Sequence, residues 1–125
     1  MAVISLVVDD DALDLPRCVN MALIHDLAES DVGDITPFLV SGVTAEAKHA
    51  LEQTAMARIS SLLPGPTSPT SISPREKLLS YWSEYEDRQT GDSCFVKDLD
   101  MFELALQAVE YERCTFSSAR HQNRC

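Results

Sequence analysis

The chain has 125 residues, with 10 basic against 20 acidic side chains and a formal net charge of −10. That length suits one domain with a modest core. The acidic balance argues against binding to nucleic-acid polymers or to an anionic membrane surface. A small phosphorylated ligand stays open, because a bound cation reverses the local field.

Residues 1–8, MAVISLVV, are apolar almost throughout, and periodicity does not separate a buried strand from the end of a buried helix. The segment has no basic start, is followed at once by Asp9, Asp10 and Asp11, and is too short to span a bilayer. Residues 9–14 read as an acidic loop. Asp14 is placed to cap a helix opened by Leu15-Pro16, where proline is tolerated in the first turn. That helix is expected to run to Glu29 or Ser30, with Val19, Ala22, Leu23, Asp26 and Leu27 on its packed side. Cys18 lies within it and reads as a small buried hydrophobe. Cys18, Cys94, Cys114 and Cys125 show no CxxC spacing. Unlinked cysteines without an export signal favour a reducing intracellular compartment, most simply the cytoplasm.

Residues 31–43 read as a loop. Thr44 is a candidate N-cap for a helix over 45–62, with Ala47, Leu51, Ala55, Ile59 and Leu62 on one stripe. Residues 64–74, PGPTSPTSISP, hold four prolines, so no helix crosses them. Ser73-Pro74 opens a helix over 75–86 with Leu78, Leu79, Trp82 and Tyr85 inward. After a turn at 89–92, a last helix is expected over 93–113. Residues 114–125 lose periodicity and are expected to form an irregular tail. Three-to-four spacing in each long segment, without alternating β-branched runs, predicts an all-α domain of about five helices over residues 1–113.

The chemistry concentrates in residues 21–37, MALIHDLAESDVGDITP. A helix advances about 100° per residue, so His25 and Asp26 point in adjoining directions and can share one cation. Glu29 follows at i+4 and i+3 from them, on the same face. A histidine and two carboxylates among Met21, Leu23 and Ile24 are costly to bury unpaired. A solvated acidic helix end is the simpler account of an isolated His-Asp dipeptide. On the last helix, Asp100 interrupts an apolar face formed by Phe95, Leu99, Phe102, Leu106 and Val109. Its carboxylate has three fates: solvent, a salt bridge to Lys97 at i−3, or a metal. Spacing alone favours the salt bridge.

HDLAE followed by VGDITP, and later FVKDLDMFELALQAVEYE, resembles the HD-domain 5′-deoxynucleotidases, metal-dependent phosphohydrolases of deoxynucleoside monophosphates. The resemblance spans residues 1–112 and is strongest at 17–37 and 95–112. It implies an HD-like helical bundle, with residues 1–8 as the last turns of a helix. It places His25, Asp26 and Asp100 on one divalent cation, with cobalt, manganese, iron and zinc not distinguished. With a cation bound there, metal-ion chemistry leaves Glu29 to take a proton from, or hold, the attacking water, and Asp34 to orient the leaving sugar oxygen or, if protonated, to donate to it. Lys48 and Lys97 are the nearest candidates for neutralising a substrate phosphate. A homodimer is a further expectation. The family pattern also uses a histidine upstream of the pair, which has no counterpart here. The alternative reading is therefore a shortened, inactive helical module acting in dimerisation or protein interaction. His49, in EAKHALEQ, matches a family segment that carries a histidine besides the ligand, so it is not expected to replace the missing one.

Overall fold

Three helix starts are fixed by short polar side chains. The Asp14 carboxylate accepts a hydrogen bond from the Arg17 amide at 3.1 Å, and the Thr44 hydroxyl accepts one from the Ala47 amide at 3.2 Å. Ser73 and Glu76 form a reciprocal cap: Ser73 Oγ accepts from the Glu76 amide, and Glu76 Oε2 accepts from the Ser73 amide at 2.8 Å. Each cap satisfies an amide that the helix itself leaves without a partner. Pro16 and Pro74 sit in first turns, where a missing N–H costs nothing.

The computed structural model describes residues 1–35, 42–68 and 70–122. These form α1 (Ala2–Val7), α2 (Leu15–Ile24), the single turn α3 (Glu29–Val32), α4 (Ala45–Ser61), α5 (Pro74–Asp87) and α6 (Gly91–Gln122). No strand occurs among the described residues, so the expected all-α class and helix count hold, with α3 as one extra turn. None of the helices there is long and apolar enough to cross a membrane. Residues 36–41 of the loop expected over 31–43 lie outside the described residues.

Helix α5 is the hub, packing on α2, α4 and α6. Its two buried aromatics, Trp82 and Tyr85, stand one turn apart and serve different parts of the core. Tyr85 joins Cys18, Met21, Ala22 and Val96 between α2 and α6. Trp82 joins Ala28, Ala55 and Met56 beneath α4. Arg17 ties α2 to α5 through a 2.6 Å bond from Nε to Glu84 Oε2. The Asp14 amide donates to Asp92 Oδ1 at 3.0 Å, which brings the start of α2 to the start of α6.

Four local expectations are corrected. Helix α2 stops at Ile24 rather than at residue 29 or 30. From Leu27 to Asp31 the amides of Leu27, Glu29, Ser30 and Asp31 bond three residues back, so the chain tightens into a 3₁₀-like turn. That turn buries Ala28 against α4, and Gly33 at φ 79° ends the segment. Leu23 is 68% exposed and does not belong to the packed side. The inward face of α4 is Glu52, Ala55, Met56 and Ser60, displaced by about one position from the apolar stripe, while Leu51 and Leu62 are exposed. Helix α6 continues to Gln122, past residue 113. No proline or glycine follows Gly91 there to break it.

Candidate metal centre

His25 ends α2, where the ladder gives way to the tight turn. Its Nδ1 donates to the Ala22 carbonyl at 2.9 Å. That bond fixes the tautomer and leaves Nε2 with a free lone pair. Nε2 lies 2.7 Å from Asp26 Oδ2 and 3.9 Å from Asp100 Oδ1. Asp100 comes from α6, so the turn and a distant helix meet at one nitrogen. A bare lone pair facing two carboxylates is repulsive, and a cation between them removes the repulsion. Two donors each about 2.1 Å from one ion can stand up to about 4.2 Å apart. Both histidine distances fall within that span, and the nitrogen-oxygen donor set suits a divalent transition metal. Each of the two histidine–carboxylate pairs is compatible with such an ion. In its absence a proton takes the same place: burial opposes charge on the His25 ring, but Asp26, the Ala22 carbonyl and Asp100 outweigh it and raise its pKa.

The second oxygen of Asp100 is held from behind. Tyr85 Oη donates to Oδ2 at 2.8 Å, and Lys97 Nζ reaches the same oxygen at 3.0 Å and Tyr85 Oη at 2.7 Å. Burial works against the Asp100 carboxylate, but Lys97 and Tyr85 more than compensate, so its pKa is lowered and it stays ionised. The salt bridge to Lys97 that spacing suggests is thus formed, and the other oxygen still faces His25. Burial pushes the Tyr85 hydroxyl pKa upward, with Asp100 and Asp26 adding to it, so it remains a donor.

Glu29 lies on α3, with Oε1 3.3 Å from Lys48 Nζ. Burial raises the Glu29 pKa, Lys48 opposes, and the neighbouring Asp26 and Asp34 raise it further. Lys48 also holds Glu52 Oε1 at 3.3 Å, so one ammonium serves two carboxylates. All of these groups and Asp34 line one cavity of about 700 Å³. The structure thus gathers His25, Asp26, Glu29, Asp34, Lys48, Lys97 and Asp100 around it. Both lysines are engaged by carboxylates. Three cationic side chains, Lys48, Arg88 and Lys97, face seven carboxylates on this lining. The sequence reading missed the tie from Tyr85 to Asp100, having taken Tyr85 as an inward core residue. It also missed Glu52 and Glu86, which join His49 on the same lining. Their only local signal is the one-turn spacing of His49 and Glu52.

A family model described as an HD domain matches residues 1–124. The chain belongs to the HD-domain family. It is 42% identical over 123 residues to human 5′-deoxynucleotidase HDDC2, covering 98% of this chain and 56% of that protein. It is 39% identical over 114 residues to 5′-deoxynucleotidase hdd1 of Schizosaccharomyces pombe, covering 90% and 54%. Among solved structures it resembles the HD domain-containing protein YGK1 (YGL101W), with a TM-score of 0.64 and 27% identity over 89% of this chain and 56% of that one. The chain spans about half the length of the curated relatives it matches. The fold expected from the sequence resemblance is therefore the fold observed.

Proposed function

We propose that this chain carries the metal-binding and proton-transfer residues of a phosphohydrolase that removes the 5′-phosphate from deoxynucleoside 5′-monophosphates. The observation that carries the reading is the His25 Nε2 lone pair, fixed by Ala22 and aimed at carboxylates from two separate elements. The similarity to proteins named 5′-deoxynucleotidase supports the substrate class.

In this reading His25, Asp26 and Asp100 hold a divalent cation, which when bound supplies Lewis acidity toward a water and a phosphate oxygen. Tyr85 and Lys97 keep Asp100 ionised and turned toward His25. Glu29 accepts the proton of the attacking water as the new phosphorus–oxygen bond forms. A carboxyl with a raised pKa suits that task near neutral pH. The bond from phosphorus to the sugar 5′-oxygen breaks, Asp34 orients that oxygen as it takes a proton from solvent, and Glu29 returns to solvent the proton it accepted. Arg88, paired with no carboxylate among the described residues, and Lys48 and Lys97, whose ammonium groups each have three donors and can keep their carboxylates, neutralise the phosphate.

Phosphate release from deoxynucleoside monophosphates should require added divalent metal, stop with a chelator and return on metal replacement. Asp100→Asn should lower it at least a hundredfold, in line with loss of a ligand whose outer partners alone are worth about 10–100-fold. Metal-independent release, or full activity in Asp100→Asn, would reject the reading.

A further inference from the structure

We propose that His49, Glu52 and Glu86 form a second cation site on the lining of the same cavity, built from residues other than His25, Asp26 and Asp100. One nitrogen or oxygen of each of the three lies within 4.8 Å of the others. His49 Nδ1 and Glu86 Oε2 are 3.2 Å apart. Two donors about 2.1 Å from one ion stand about 3–4 Å apart, so closure on a cation needs only small side-chain movement. His49 and Glu52 are one turn apart on α4, and Glu86 comes from α5, so the packing of two helices positions the set.

Two further observations point to a ligand. The His49 ring stacks on Trp82, with centroids 5.7 Å apart and planes at 12°, which fixes its plane against a buried side chain. The Glu52 side chain is largely buried, at 11% exposed, and its cation, Lys48, is shared with Glu29. A cation at the site would relieve that sharing. The excess of carboxylates over cations on the cavity wall works in the same direction. One imidazole and two carboxylates, with an open side toward the cavity, suit a borderline divalent ion such as Zn²⁺ or Co²⁺. A cation there would give an entering phosphate dianion a second positive charge to meet. The site itself does not depend on the phosphohydrolase reading.

Trp82 is the one tryptophan in the chain and lies against His49, so it reports on this site directly. Co²⁺ titration should quench Trp82 fluorescence saturably, and calorimetry on the same samples should give the stoichiometry. His49→Gln and Glu86→Gln should raise the Co²⁺ dissociation constant read from Trp82 about tenfold or more. His25→Gln should leave it within about twofold. Both His49 and Glu86 are partly exposed, and circular dichroism checks that each variant keeps its helices. Quenching that persists unchanged in His49→Gln, that disappears in His25→Gln instead, or that is absent from the unmodified chain would overturn the proposal. Absence of phosphatase activity from the unmodified protein, with Co²⁺ binding at His49 intact, would reject the enzymatic reading alone.

Discussion

Tyr85 Oη and Asp100 Oδ2 are joined by a 2.8 Å hydrogen bond between α5 and α6. This bond decides which oxygen of Asp100 faces His25, because Oδ2 is taken by Tyr85 and Lys97 together. Tyr85→Phe keeps the ring in the core and removes only the hydroxyl. It should cost about 1.5–3 kcal/mol in chemical denaturation, as loss of a hydrogen bond to a charged, partly buried acceptor does. Divalent-metal affinity should fall about tenfold by calorimetry, since Asp100 loses an orienting partner. Unchanged metal affinity would show that Lys97 alone sets the carboxylate.

Trp82 anchors the core beneath α4, in contact with Ala28, Ala55 and Met56. Trp82→Ala should destabilise the fold by about 3–5 kcal/mol through lost burial and the cavity left behind. The urea midpoint would fall accordingly. A loss below about 1 kcal/mol would mean that α4 is not held to α5 by this side chain.

Glu84 should make stability depend on pH. The Arg17 hydrogen bond lowers the Glu84 pKa from its ordinary 4.5, against burial, with Thr90 assisting. A carboxylate with a depressed folded pKa stabilises the protein above its unfolded value and loses that contribution as pH falls through the folded value. Stability should therefore drop as pH falls below about 4.5. Glu84→Gln should be less stable at neutral pH and flatten that part of the profile. Because Arg17 is about two-fifths exposed, the effect should be on the order of 1 kcal/mol. Urea midpoints from pH 7 to pH 3 in both proteins check the sign (on the order of the usual carboxylate range).

Ser73 closes the reciprocal cap at the start of α5 and is buried. Ser73→Ala removes the acceptor for the Glu76 amide and should cost about 1 kcal/mol, with a range of about 0.5–2. Thermal unfolding followed by circular dichroism measures it. Ser73→Asp, which retains an acceptor, should recover part of the loss.

Helix starts at Asp14, Thr44 and Ser73 were legible because capping is a local contract between residues three apart. The inward faces were less so. Around α4 the apolar stripe through Leu51 misses the buried face by one position, about 100° of rotation. Glu52 is buried there because Lys48 meets it, and composition reads a glutamate as solvated. The break after Ile24 was also hidden: Leu27 and Ala28 are good helix formers, and burial of Ala28 against α4 turns the chain.

The sequence by itself determined an all-helical chain, the spacing of His25, Asp26 and Glu29, and the position of Asp100 on a later helix. Each follows from the 3.6-residue period or from polar groups a few residues apart. Only tertiary structure decided that Asp100 would come within 3.9 Å of His25, that Tyr85 would hold its other oxygen, and that His49 and Glu86 would meet. Those partners come from different elements, 15 or more residues apart. Their approach is set by how Trp82 and Tyr85 seat α5 against α4, α2 and α6, a packing result that local periodicity does not encode.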